Sequence, residues 1–543
     1  MATQAESTQP TQQAQQVQQT VRRGRTSAGR GDAADNRAVV NRIARAWLLG
    51  ALIAGVGVGL FVRFYGTHFQ QLSTTDGVNV AQVARNVASG VGLKTNVIYP
   101  MHLALGDAGE SRHDIAVGPL YAFTLGMFFK GRGAEDDAVA LFNGLMLFAT
   151  AGFLYGLINL IYDKSIAIWA VLAYFISMEA ISQAFGAGGA TIGGLTLTAA
   201  LYFAMLAITN SERDPAEGLE DAEPSLRTRL KLFFRSPWPW TIAAGISVGL
   251  TYLTGMVGVL ALIAIIWLAA RQPGRSRAAL IAASIAAIVL VSPWLARNFK
   301  HFGAPSAPLH SYSLLMHTDQ FPGRSFMWQT SGLPDSPALW AFTHPMTMLR
   351  KVAVGLTGFY GSLPELVNRY LFPFLLVGVF VAADGRRRRL LWGGVWFIVV
   401  AQVLTVALYD RDPDPIAVIT PVGTGLAVAG LIILMRKHLK TRKLMIGVGV
   451  FAACMVALPY AASSAIKPSG GASPSKPALD LIAGQLPSEM VVATNIPWPV
   501  AWYGGKRVVL LPEGKQQLEA LAGGGVEPDI VSVSYTHLRA HET

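Results

Sequence analysis

Long apolar runs separated by short polar stretches recur along this chain. Segments 278–295 and 447–465 contain no charged residue, and each is close to the roughly 20 residues needed to cross a bilayer core. Comparable runs cover about 44–64, 391–409, 416–435 and 444–465. The pattern predicts a polytopic α-helical membrane protein whose membrane domain is 43–465. Thirteen spans is the preferred count and eleven the next. A shorter period interrupts the pattern in the first loop, 65–116. There Val80, Val83, Ala84 and Val87 fall at i, i+3, i+4 and i+7, the apolar stripe of a helix. Thr75 and Asp76 are good N-cap residues and Gly90 supplies a stop. The expected element is a short helix in the interface plane, apolar face down. Beyond the last span the pattern changes again. Segment 466–477 is a Ser/Gly/Pro/Lys-rich linker. Within 478–532 the stretches 478–486 and 516–521 read as helices, and 490–494, 507–511 and 530–531 as strands, a small α/β domain.

Composition sharpens the class. Of 543 residues, 52% are hydrophobic and 14% charged, with mean hydropathy +0.41; a soluble chain carries about 25% charged residues. The net charge of +12 does not point to nucleic acid, because the basic residues gather at span ends, as membrane topology demands. Seven arginines between 22 and 45 precede the first span, so residues 1–42, poor in large apolar side chains, are expected to be a disordered cytoplasmic tail. The blocks 386–389 and 436–443 are expected on the same side. Loops 65–116 and 297–345 and the domain 478–532 are then extracytoplasmic, on the outer face of the cytoplasmic membrane. Strict alternation does not close between 117 and 161, where one of two helices is expected to be broken or half-inserted. The single cysteine, Cys454, excludes a disulfide framework. Residues 533–543 read as a translated sequencing adapter, which makes 478–532 the visible part of a truncated domain.

Chemistry concentrates in the first external loop. Asp76 begins the short helix; Lys94, Tyr99, His102, Asp107, Glu110, Arg112, His113 and Asp114 follow, before Gly118-Pro119-Leu120-Tyr121 opens the next span. Acidic groups at both ends of one loop suit a substrate whose lipid tail stays in the bilayer while its head group projects outside. A helix cap and a catalytic acid are both compatible with Asp76 at this point. No histidine spacing suggests zinc. The acidic turn 410–414 offers oxygen ligands for a divalent cation, though a solvated turn is the plainer reading. Trp328, Trp340, Trp498, Trp502 and Tyr503 suit sugar stacking, an interfacial belt or a domain core equally.

In order along the chain, Asp76 with 81–86 and 90–93, Ile98-Tyr99-Pro100, 118–121, Tyr252-Leu253-Thr254, Pro293-Trp294-Leu295-Ala296-Arg297-Asn298, 494–505 and 510–512 resemble bacterial glycosyltransferase family 39. These are relatives of protein O-mannosyltransferases and of the lipid A aminoarabinose transferase. The resemblance covers about 44–530. It implies the C-type glycosyltransferase fold and transfer of sugar, with inversion, from a polyprenyl-phosphate carrier to a lipid, protein or glycan acceptor in the cell envelope. It makes Asp76 the general base and Asp114 a second acidic group, or else a cap for the following span. The leaving phosphate needs cations. Arg297, beside Asn298, is the first candidate, its plainer role being an arginine snorkelling to lipid head groups. Arg85, Lys94, Tyr99 and His113 complete the substrate-binding set. The sequence departs from the family at Gly77, where an acidic residue is frequent, at the Gly/Ala-rich turn 185–191, near which only Glu179 is acidic, and at Gly255.

Two other classes fit a polytopic chain. A transporter or flippase of a lipid-linked sugar places ionisable residues and broken helices near the bilayer midplane, whereas the acidic residues here crowd external loops. A surface-glycan ligase or polymerase needs a large loop late in the chain, between spans; the late polar region here is terminal.

Overall fold

The computed structural model describes residues 48–532 apart from 73, 107–111, 116–117, 187, 213–225, 256–258, 265–275, 411–413, 466–478, 480–483, 488, 513, 524–525 and 527. The expectations for 1–42, 466–477 and 533–543, for Asp107 and Glu110, and for most of the 478–486 helix lie outside the described residues. By its own contacts the chain divides at Gly59–Leu60, within the opening span Leu48–His68. The second unit, from Leu60 onward, holds the remaining helices and the sheets.

Among the described residues seven helices are long and apolar enough to cross a membrane: Leu48–His68, Asp136–Ile161, Ala190–Ser211, Ile281–Phe302, Arg386–Tyr409, Pro415–His438 and Lys443–Ala462. Lys164–Ile176 and Met178–Phe185 meet the same criterion only when taken together, and they are bent by 54° at the break, the geometry of a broken span or a re-entrant loop. The protein is a multi-pass membrane protein. The other apolar segments form shorter helices, Pro119–Arg132, Trp238–Thr254 and Phe372–Val381. Pro119–Arg132 has 14 residues, about 21 Å of helix. The break at Ser177 is held by polar contacts. Ser177 Oγ donates to Glu179 Oε2 at 2.7 Å, and Asn368 Nδ2 donates to the same oxygen at 3.1 Å. Pro345–Ser362, 18 residues long, packs along Arg386–Tyr409.

The sheet of the C-terminal domain is not self-contained. Strands β4 (Val491–Thr494), β5 (Arg507–Leu510) and β6 (Ile530–Ser532) form where expected. The parallel sheet, though, has four strands, in the order β2-β5-β4-β6, and β2 is Val97–Ile98 of the first loop. Side chains alternate across a strand. One face sends Val97, Val492 and Val508 into a core with Tyr99, Tyr312, Leu315 and Phe326. The other sends Ile98, Ala493 and Val509 toward Leu521 of the Lys515–Gly523 helix. The domain boundary expected at 478 therefore has to include part of loop 65–116.

Candidate active site at the first loop

The Thr75–Ala88 helix carries Asp76, the acidic residue expected at the site. Its N-cap is Thr74, whose Oγ1 accepts from Gly77 N at 3.1 Å. Neither Thr75 nor Asp76 caps it; Asp76 lies in the first turn, exposed. Three consecutive cap-competent residues left that register open in the sequence. Gly90, at φ 85°, ends the helix as expected. The helix is enclosed by protein beyond Asp76, however. Residues 77–84 are buried throughout, because Pro119–Arg132 covers one side and Trp502 the other. Asp76 is thus an exposed carboxylate at the open end of a buried helix.

Arg85 faces the C-terminal domain. Its two terminal nitrogens donate to the carbonyls of Trp502 and Ala501, both at 2.7 Å, and its guanidinium lies 4.9 Å from the Trp502 ring centre. These carbonyls end the Pro497–Tyr503 helix, where a cation complements the helix dipole. Burial pulls the Arg85 pKa down. Its geometry is that of a tie between elements, and both donor groups are committed to protein.

The remaining expected residues converge. Strand β1 (Lys94–Thr95) pairs antiparallel with β3 (Arg112–His113), setting Lys94 opposite His113. The His113 ring packs 3.7 Å from that of His301, near the end of the Ser276–Phe302 helix. From that helix Arg297 reaches back: Nη2 donates to the carbonyls of Leu93 and Asp114 at 3.4 and 3.3 Å, and Nη1 to Asn298 Oδ1 at 3.0 Å. Its guanidinium lies over Trp294 and Phe302. Asn298, fully buried, also donates to the Pro305 carbonyl at 3.0 Å. Asp114 is buried as well. The charges of Asp114 and Asp76 both act on the buried Tyr99 hydroxyl. Burial drives the Tyr99 pKa up, and the two carboxylates add to the rise. The indole N–H of Trp498, donating at 2.8 Å, and the charge of Arg324 pull it back. Tyr99 is therefore a neutral hydroxyl packed beneath the site.

Two motifs far apart in sequence close the same region. A Cβ on Gly118 would stand 2.8 Å from the carbonyl oxygens of both Leu253 and Thr254, so the start of the Pro119–Arg132 helix meets the end of Trp238–Thr254 only because position 118 has no side chain.

Sequence reasoning did not single out Arg324, Asp136, His301 or Lys351. Arg324 pairs with Asp410 at 3.0 Å, so one carboxylate of the acidic turn faces an arginine; Asp412 and the side chain of Asp414 lie outside the described residues. Asp136 takes hydrogen bonds from Trp502 Nε1 at 2.7 Å and Tyr503 Oη at 2.8 Å. With the Trp498 contact, this places the C-terminal aromatics in a structural interface. Lys351, buried, donates to the carbonyls of Ser313, Leu314 and Tyr409 at 2.9–3.0 Å. No sequence period marks these partners, which lie tens to hundreds of positions apart. No group of three or more His, Cys, Asp or Glu residues is placed to hold a metal ion among the described residues.

No protein-family model and no curated protein sequence matches the chain. Solved structures do. The oligosaccharyltransferase AglB of Archaeoglobus fulgidus, in complex with an inhibitory peptide and a dolichol-phosphate, aligns at TM-score 0.55 and 12% identity over 85% of this chain. This chain spans 64% of the archaeal protein's length. ArnT of Cupriavidus metallidurans, bound to undecaprenyl phosphate, aligns at TM-score 0.53 and 15% identity, covering 92% of this chain and 95% of that one. Identities this low speak to architecture, and with the helix order and the sheet that joins first loop to C-terminal domain they give the conclusion that the chain has the C-type glycosyltransferase fold.

Proposed function

We propose that this protein is an inverting glycosyltransferase. It moves a sugar from a polyprenyl-phosphate donor to a lipid, protein or glycan acceptor on the outer face of the cytoplasmic membrane. The observation that supports the reading is the pairing of Lys94 with His113 and the bonds of Arg297 to the Leu93 and Asp114 carbonyls, in the loop that follows the Asp76 helix and in a fold shared with structures solved with polyprenyl-type phosphates. Asp76, exposed where its helix opens, takes the proton of the acceptor nucleophile as general base. The acceptor atom bonds to the anomeric carbon while the bond to the phosphate oxygen breaks, and polyprenyl phosphate leaves as an anion. Arg297 and Lys94 supply positive charge beside that anion. Asn298 and the Leu93 and Asp114 carbonyls hold Arg297 in place. Lipid-linked donors need no nucleotide-binding loop, and the sequence offers no convincing one.

Asp76→Asn is the test. Loss of transfer by about 10²–10⁴-fold, with donor lipid still bound, fits the base. Unchanged transfer removes Asp76 from the mechanism. Comparing envelope glycans and glycoproteins by mass spectrometry with and without the gene identifies the acceptor.

A further inference from the structure

A second candidate site lies at the other basic landmark of the chain, the blocks 386–389 and 436–443. A cavity of about 780 Å³ opens between the Phe372–Val381, Arg386–Tyr409 and Thr420–His438 helices. Its lining includes Phe380, Trp392, Trp396, Asp384, Arg389 and Lys437. Its floor is fixed. A Cβ on Gly378 would come within 2.5 Å of the Trp392 ring, so the helix carrying Phe380 lies directly against that indole. Trp392 Nε1 donates to Tyr162 Oη at 2.6 Å, and Tyr162 Oη to the Ala382 carbonyl at 3.1 Å. On the rim, Phe380 is 88% exposed.

The surrounding cations divide into two groups. Arg387 is paired with Glu212 at 2.6 Å, Arg436 with Asp163 at 2.6 Å, and Arg388 lies over the Tyr162 ring. Arg389 and Lys437 make no ion pair among the described residues, and both face the cavity. Trp396, also in the lining, has a buried indole N–H with no hydrogen-bond partner among the described residues. Two uncommitted cations, an indole donor and an aromatic wall open toward an exposed phenylalanine match a phosphate joined to an acyl chain. Basic pockets between membrane helices bind anionic head groups in this way, and the volume falls in the range of small-molecule sites.

We propose that this cavity binds an anionic phospholipid. Its phosphate sits between Arg389 and Lys437 and takes the Trp396 N–H; its acyl chain runs over Phe380. Asp384, also at the rim, faces the polar, uncharged part of the head group. The charge pattern predicts the cytoplasmic leaflet for this end of the bundle, and no residue lining the cavity belongs to the proposed transfer site.

Native mass spectrometry of the full chain, with phosphatidylglycerol, phosphatidylcholine or inorganic phosphate added, tests this. Expected is retention of one phosphatidylglycerol, no comparable retention of phosphatidylcholine, and no displacement by inorganic phosphate. R389A/K437A should weaken retention by on the order of ten-fold or more. R389K/K437R, which keeps the charges, should retain the lipid, and W396F should lose part of it. Equal retention of phosphatidylcholine, displacement by inorganic phosphate, or an unchanged R389A/K437A protein overturns the proposal. Because R389A/K437A alters exposed residues and R389K/K437R preserves charge, loss in the first with retention in the second separates binding from misfolding.

Discussion

Asp76 and Arg85 share one helix, yet their surroundings send them to different tasks. Asp76 stands at the exposed first turn, whereas Arg85 is half-buried against the end of another helix. Both were legible as chemistry-bearing residues, because a charged side chain in a mostly apolar chain draws notice. Of the two, only Asp76 is exposed. What separates them is the Pro497–Tyr503 helix, more than four hundred residues away, which no local period announces. Arg297 is the converse case. From the sequence it was balanced between a phosphate ligand and a snorkelling side chain. Its bonds to Asn298 Oδ1 and to the carbonyls of Leu93 and Asp114 turn it inward, toward the first loop. Arg297→Ala should lower single-turnover transfer by up to about 10²–10³-fold, through loss of its positive charge and of its hold on the Leu93 and Asp114 carbonyls. Arg297→Lys should recover only part of it, since an ammonium lacks the planar fork that serves several acceptors together. Equal transfer by the alanine variant and the parent would return Arg297 to a lipid-facing role.

At the scale of elements, the apolar pattern gave the long helices and the β4, β5 and β6 strands, because burial and alternation are properties of a window of sequence. It did not give β2, two residues in a polar loop whose strand character comes entirely from pairing with β5. Nor did it show the contact of Gly118 with the Leu253 and Thr254 carbonyls. That contact has a direct consequence. Gly118→Ala puts a methyl where there is no room, forcing the start of the Pro119–Arg132 helix away from the end of Trp238–Thr254. Overpacking of this kind costs about 1–3 kcal/mol, so the variant should melt lower in detergent and lose transfer as the Thr75–Ala88 helix, packed on Pro119–Arg132, shifts with it. The Pro308–Tyr312 helix brings a pH dependence. His310 is half-buried beside the Tyr409 ring, and desolvation pushes its pKa below the usual 6.5 while the Asp410 charge acts in the opposite direction. A depressed folded-state value favours the neutral ring. Its contribution to stability is therefore present above about pH 6.5 and is lost as pH falls through the lower, folded value. Melting temperatures measured from pH 7.5 downward should fall in that window for the parent, and less for His310→Asn. Parallel curves would place the dependence elsewhere.

For the whole molecule, the first loop and the C-terminal domain form one structural body. The sheet borrows β2 from the loop, Arg85 closes the Pro497–Tyr503 helix, Trp498 bonds Tyr99, and Asp136 takes both Trp502 and Tyr503. A boundary drawn at residue 478 follows composition, because the linker is visible and the docking is not. The docking makes that domain a wall of the proposed site, since Tyr99 and the Thr75–Ala88 helix are held from its side. Inserting a specific protease site after Gly470 gives a direct test. Cutting the backbone there leaves every one of these contacts intact, so the C-terminal fragment should co-elute with the membrane domain in size exclusion, and transfer should survive cleavage. Asp136→Ala removes the acceptor shared by the Trp502 N–H and the Tyr503 hydroxyl. Leaving the buried Trp502 N–H unpaired costs about 1–3 kcal/mol, and Tyr503 keeps only its bonds to Leu72. In that background the cut fragment should dissociate and transfer should fall with it, although Asp136 touches no substrate in the proposed mechanism. Release of the fragment from the cleaved parent itself would show that the covalent linker, and not the shared sheet, holds the site together.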